Sequence, residues 1–211
     1  MYKGKIYLRD CLKTLHRTFT YKDNGFPYSG IWIFSGGQGM GKTLNAVQCL
    51  LEIHKKYPLA RIISNIPLAI DGVEMYSGLE MFEESNGTEG IIYFLDEIQS
   101  LYSSMQSKGV SDEMLYIWAQ NRKNRRVILG TTQRFTRVAK PIREQTKWLF
   151  DMRFKLFNIF GYRIYDGYDF NDNGEYCGER PSMNFCMPSD MAYSVYDTRY
   201  VVRRVGGALD D

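Results

Sequence analysis

The stretch "GGQGMGKT", residues 36–43, follows directly on the apolar run "GIWIFS", residues 30–35, and it restricts the possible folds more than any other part of the chain. Gly36, Gly41, Lys42 and Thr43 satisfy G-x-x-x-x-G-K-[ST], a loop that runs from a buried strand into a helix. Glycines recur there for a physical reason. Successive backbone N–H groups must close around an anion at hydrogen-bonding distance, and Cβ atoms would stand in the way. The helix that follows points its positive end at the same anion. Residues Gly36, Gly37, Gln38, Gly39, Met40, Gly41, Lys42, Thr43 and Leu44 are therefore the expected cradle for the phosphates of ATP. Lys42 supplies a point charge to the β- and γ-phosphates, and Thr43 supplies a hydroxyl ligand for Mg²⁺.

The rest of the chain supports an alternation of strands and helices. "GIWIFS" reads as a strand, and residues 42–57 as a helix with Leu44, Val47, Leu50, Leu51 and Ile53 on an apolar face, closed by Lys55, Lys56 and Pro58. Further strands are expected at 60–68, 89–97, 125–133 and near 147–154, with a strand or hairpin at 157–170 and a last strand at 196–202. A helix is expected at 111–124, opened by Ser111 and an acidic first turn. Such alternation gives an α/β, three-layer P-loop NTPase fold with a mainly parallel central sheet and an antiparallel edge hairpin toward the C-terminus. The 211 residues fit one domain. Its expected parts are an N-terminal extension (1–28), a nucleotide-binding core (29–150) and a β-rich C-terminal extension (151–211).

"IIYFLDE" places Asp96 and Glu97 at the carboxyl end of a buried strand, where open α/β sheets bind ligands. Asp96 is the expected second holder of Mg²⁺, through water. Glu97 is the expected general base on the attacking water. The pair favours ATP hydrolysis over a GTP switch, because no N/TKxD guanine-reading motif is present. "VILGTTQ" ends in Thr131, Thr132 and Gln133, so a polar side chain can lie between the acids and the γ-phosphate. Gln133 is the candidate to position water or to sense that phosphate. In "NRKNRR", Arg122, Arg125 and Arg126 are candidates to stabilise transition-state charge, from a neighbouring subunit if not in their own. The alternative for each is a solvated helix end.

Charge is uneven. From Arg122 to Lys147 there are nine Lys/Arg and one acid, a local +8 in a chain of net +3. Arg134, Arg137, Lys140, Arg143 and Lys147 recur at spacings of three and four, although Pro141 interrupts them. A run of this kind suits DNA phosphates, and a subunit interface or an ordinary solvated surface equally.

Several functions find no support. No run of 18 apolar residues predicts a membrane span, and "MYKGKIYLRD" lacks a signal-peptide apolar stretch. Cys11, Cys49, Cys177 and Cys186 form no CxxC pair, so buried free thiols in a reducing, cytoplasmic setting are expected. His16 and His54 have no partners at metal-ligand spacing. "DFNDNG", 169–174, copies half a calcium loop, but Arg180 stands where a bidentate Glu is needed and Glu179 is one place early. A hairpin turn is expected there instead.

With these motifs on one chain, the sequence resembles the additional-strand catalytic-glutamate P-loop ATPases. The strand-end Gln133 is similar to the FtsK/HerA branch. "LDEIQSLYSS" and "NRKNRRVILGTTQRFTRVAKPIREQ" look like zonula occludens toxin-like ATPases and viral genome-packaging ATPases. The resemblance spans about residues 30–150. It implies a homo-oligomeric ring, a pentamer or hexamer, that moves double-stranded DNA through a pore. It also implies an arginine finger in trans, falling on Arg122, Arg125 or Arg126. A viral portal or capsid component is the implied docking partner, and a host-cell cytoplasm the implied location. Toxin-like members are longer and carry a membrane segment, which this chain lacks; the length fits a compact packaging ATPase or an excised ATPase domain. Two alternatives remain open: a motor for filamentous virion assembly or secretion, and a nucleotide-binding scaffold with little turnover.

Overall fold

In strand β4, Ile91–Leu95, all five residues are buried, with Ile92 and Phe94 facing one layer and Ile91, Tyr93 and Leu95 facing the other. A strand buried on both faces belongs inside a parallel sheet covered on both sides. The computed structural model describes residues 25–100, 120–171 and 173–196. Its other described strands are β1 (Gly30–Ser35), β2 (Arg61–Ser64), β3 (Val73–Met75), β5 (Arg126–Thr132), β6 (Thr146–Leu156), β7 (Ile159–Asp166) and β8 (Asn184–Cys186).

Among the described residues the sheet has eight strands, in the order β3-β2-β4-β5-β1-β6-β7-β8. From β3 to β6 the neighbours are parallel; β7 and β8 join antiparallel at the end. The expected fold class is therefore observed, edge hairpin included. β5 lies between β1, which leads into the glycine-rich loop, and β4, which leads into the two acids.

Helix α1, Lys42–Lys56, covers one face. Its Ala46, Val47, Leu50 and Ile53 pack on Phe34, Ile62, Ile92, Phe94, Val127 and Leu129. Burying the larger of these, such as Val47, Leu50 and Ile53, contributes about 1.5–3 kcal/mol each. The basic last turn, His54, Lys55 and Lys56, suits the negative end of the helix. The other face is covered by the 3-10 segment Leu79–Glu83, by Ile98, and by the segment holding Phe135, Val138 and Ile142. A short helix α3, Asp190–Val195, docks on α1, where Gln48 Oε1 accepts from both the backbone N–H and the hydroxyl of Ser189 at 2.9 and 2.8 Å.

Some expectations change in detail. The second strand stops at Ser64, because Ser64 turns its hydroxyl onto the Ile66 carbonyl at 2.6 Å. The three-residue β3 is too short to leave a periodic signal. β6 runs through position 150, the expected limit of the core. Cys177 is exposed rather than buried, whereas burial pushes the Cys186 thiol up to about 11. The basic run does not form one helical face. Arg137 lies in a 3-10 turn, Lys140 and Arg143 in the five-residue helix α2 (Lys140–Glu144), and Lys147 on β6. Phe26 and Tyr28 pack edge-to-face with Tyr57, the buried Phe26 joining the core and the two half-buried tyrosines lying against it. Residues 1–24, most of the expected helix 111–124 and most of the expected strand 196–202 lie outside the described residues.

Candidate active site

The loop Gly36–Gly41 joins β1 to α1 at the carboxyl edge of the sheet. Gly41 caps α1 with φ 77°, a left-handed conformation that glycine adopts without strain. A second constraint acts on the same atom. A Cβ on Gly41 would sit 2.2 Å from Phe160 Cε1, and Phe160 on β7 is only 1% exposed. Gly39, at φ 75°, has open space where its Cβ would project. One glycine thus admits a supporting ring while the other leaves the mouth of the loop clear. Lys42 folds over the loop and donates to the Gly37 carbonyl at 3.3 Å, and Met40 N–H bonds the same carbonyl at 3.3 Å.

The acids arrive from β4. Asp96 is buried, and its Oδ1 accepts the Thr43 hydroxyl at 2.9 Å and the Thr131 hydroxyl at 2.7 Å. Its backbone is clamped on both sides by Asn65, which follows β2. Asn65 Nδ2 donates to the Asp96 carbonyl and Asn65 Oδ1 accepts from the Asp96 N–H, each at 2.8 Å. Glu97 has φ 52°, uncommon for a side-chain-bearing residue and a mark of functional sites. Its N–H bonds Thr131 Oγ1 at 3.0 Å, and its carboxylate is held by Gln99.

A cleft of about 900 Å³ collects these groups. Gln38, Gly39, Gly41, Lys42, Thr43 and Leu44 line it with Asp96, Glu97 and Gln133. Gly36 and Gly37 face a neighbouring cleft of about 430 Å³, which Gln133 also borders. The Thr131 hydroxyl links the Asp96 carboxylate to the Glu97 backbone. Gln133 is exposed at the rim, where its Oε1 accepts from Arg137 at 3.1 Å.

The arginine candidates lie elsewhere. The Arg125 carbonyl accepts the N–H of Ile91, the first residue of β4, at 3.0 Å. Asp96 follows the last residue of β4, so the turn at 120–125 is a strand length away, about 16 Å. Arg122 and Arg125 line a separate cleft of about 770 Å³ with Lys123, Lys147 and Tyr28. They face away from the chain's own phosphate loop. Arg126 is not placed as a finger: it starts β5, is 0% exposed, and burial pushes its guanidinium below its ordinary value. A side chain locked in the core reaches no neighbouring subunit.

Sequence reasoning missed three groups at the site. Asn65 carries no motif, and its role depends on β2 lying beside β4. Phe160 and Lys155 reach the loop only because β6 pairs with β1 and β7 folds back on β6. Where a hairpin turn is expected in "DFNDNG", Gly174 N–H bonds the Asn171 carbonyl at 2.8 Å and Phe170 bridges Tyr176 antiparallel.

Comparison with known proteins agrees with this geometry. A family model described as "ATPase family associated with various cellular activities (AAA)" matches residues 32–156, more than half of the chain. Among solved structures, the N-terminal domain of zonular occludens toxin from Neisseria meningitidis is similar at TM-score 0.53 and 13% identity, over 80% of this chain and 99% of that one. The genome packaging NTPase B204 from Sulfolobus turreted icosahedral virus 2, in complex with sulfate, gives TM-score 0.51 at 14% identity, over 77% and 98%. B204, the DNA-packaging ATPase from Sulfolobus turreted icosahedral virus, gives 0.50 at 11% identity, over 76% and 98%. At these identities the likeness is one of fold. Comparison with curated proteins gives no match. Among the described residues, no helix is long and apolar enough to cross a membrane.

Proposed function

The chain belongs to the ATPase family associated with various cellular activities (AAA), and from that premise we propose that it is an ATP-hydrolysing ring motor that translocates double-stranded DNA, with phage genome packaging as its setting. The observation that carries the reading is the meeting of the Thr43 and Thr131 hydroxyls on one oxygen of Asp96, in the cleft that also holds Lys42 and Glu97. A hydroxyl and a carboxylate already facing each other beside a phosphate loop suit Mg²⁺. Thr43 and Asp96 would hold that ion, Asp96 through water; when bound, it supplies positive charge to the β- and γ-phosphate oxygens. β5 standing between β1 and β4 supports the additional-strand, catalytic-glutamate class.

In this reading the loop N–H groups and Lys42 hold the triphosphate. Glu97, held by Gln99 and by its own backbone bond to Thr131, orients the attacking water and takes its proton. Gln133 senses the γ-phosphate from the rim. Arg122 or Arg125 completes a neighbour's site in trans, because neither faces its own cleft. Exposed cations such as Arg134 and Arg137 grip DNA phosphates. The packaging setting, with a portal or capsid component as partner, follows the genome-packaging role of the B204 NTPase. The likeness to the zonular occludens toxin domain favours a second reading, a motor for virion assembly or secretion.

The test is ATPase rate with and without double-stranded DNA at low and moderate salt, alongside the mass of the assembly. Glu97→Gln should retain ATP binding and lose hydrolysis, because the amide cannot take the water's proton. Unchanged turnover in that variant removes Glu97 as the base. A rate indifferent to DNA at every salt concentration removes the translocase.

A further inference from the structure

Lys42 is not the only ammonium on the phosphate loop. Lys155, near the end of β6, donates from Nζ to the Gly39 carbonyl at 3.2 Å across a separation of 116 positions. The two lysines treat the loop alike, Lys42 holding the Gly37 carbonyl at 3.3 Å and Lys155 the Gly39 carbonyl. Both line the cleft of Thr43, Asp96 and Glu97.

Lys155 is also placed by its surroundings. Its Nζ lies 5.6 Å from the centre of the Phe160 ring, the same ring that abuts Gly41. A cation over an aromatic face is weakly attracted, which confines an otherwise mobile side chain. Among the described residues no carboxylate forms an ion pair with it. Its partners are thus a neutral carbonyl and a ring face. The bond to the carbonyl sets the ammonium against a dipole only, whereas a phosphate oxygen would set it against a full opposite charge, the stronger of the two pairings. The open space beside Gly39 lets an anion approach where the ammonium already points.

We propose that Lys155 is a second phosphate-binding cation of this cleft, exchanging the Gly39 carbonyl for an oxygen of the β- or γ-phosphate of the nucleotide bound there. The inference rests on the nucleotide-binding reading above and adds to it a residue from the edge hairpin. It acts in cis, unlike the arginines of the opposite pole.

The experiment measures dissociation constants of the full chain for ATP, ADP and AMP with magnesium, for the parent, Lys155→Met, Lys155→Arg and Lys42→Ala. Loss of one charge-assisted bond predicts that Lys155→Met binds ATP and ADP about tenfold more weakly. AMP, lacking the β- and γ-phosphates, should change less than about twofold, and Lys155→Arg should recover most of the loss. The melting temperature of Lys155→Met should match the parent, since Lys155 is exposed. Parent-like affinity for all three nucleotides in Lys155→Met overturns the proposal, as does an equal loss for all three, which marks a merely structural role. If the parent binds none of them and Lys42→Ala behaves the same, the nucleotide reading itself falls and Lys155 with it.

Discussion

Thr43 and Asp96, 53 positions apart in the chain, meet in a hydrogen bond of 2.9 Å. Thr131 reaches the same carboxylate oxygen from β5 at 2.7 Å, so the start of α1 and the ends of β4 and β5 converge on one atom. Asn65, after β2, fixes the backbone behind it. The acid is therefore held before any ligand arrives, and that preorganisation is what positions charge for catalysis.

Thr131 should prove more important than its lack of motif suggests. It is 0% exposed, donates to Asp96 and accepts the Glu97 N–H at 3.0 Å. Thr131→Val keeps the shape and removes both bonds. Leaving the Glu97 N–H without an acceptor costs about 1–3 kcal/mol. We expect turnover to fall at least tenfold and stability to fall by that amount, with Thr131→Ser near the parent. Urea denaturation and ATPase assays check both, and parent-like turnover in the valine variant would remove Thr131 from the site.

Gly41 and Phe160 should be energetically coupled. Gly41→Ala meets two obstacles, the positive φ, costing about 1–2 kcal/mol, and the Phe160 ring 2.2 Å from the new Cβ. Phe160→Ala alone empties a buried site, at about 3–5 kcal/mol. In the double variant the clash is gone, so the combined loss should be smaller than the sum by about 0.5–3 kcal/mol. Strict additivity in urea denaturation would mean that the loop moves aside and the ring does not hold it.

These cases show what could be read from the sequence. The phosphate loop was legible because local spacing fixes it: strand, glycines, lysine and helix are contiguous. Asp96 and Glu97 were legible because a strand buried on both faces ends there. Phe160, Lys155 and Asn65 were not, since each matters only through which strands lie side by side, and pairing leaves no mark in local periodicity. Arg126 shows the converse. It looks like a member of a solvated basic cluster, yet β5 begins at that residue and all seven of its positions are buried. Charge alone did not separate it from Arg122.

Stability should depend on pH through Asp151. Burial pushes its carboxyl above the ordinary 3.8, against the pull of Arg153 and Arg163. A raised folded value means that the folded state keeps a proton that the unfolded chain has lost. This contribution is fully present below the ordinary value and is lost as pH rises through the folded one. Asp151→Asn removes that slope, and Arg153, with its side chain 55% exposed, remains solvated without the 2.6 Å ion pair. The variant should show a flatter stability curve above pH 3.8 and at pH 7 should be at least as stable as the parent. A loss beyond about 1 kcal/mol at pH 7 would mean that the ion pair outweighs the cost of burial.

Arg122, Arg125 and Arg126 should separate into two kinds of residue. Arg126 is enclosed in the core, so Arg126→Ala should cost about 2–4 kcal/mol, as other cavity-forming core changes do, while the folded fraction keeps its turnover. Arg122 is exposed, and Arg122→Ala should leave stability within about 0.5 kcal/mol. If the finger acts in trans, Arg122→Ala or Arg125→Ala loses turnover in the assembly yet binds ATP normally. Mixing that variant with Lys42→Ala subunits should then restore activity, because an intact loop in one subunit meets an intact arginine from the next. Full turnover in both the Arg122 and Arg125 variants would place the finger outside this turn. No recovery at any mixing ratio would place it in cis, which the strand's length between this turn and the chain's own cleft argues against.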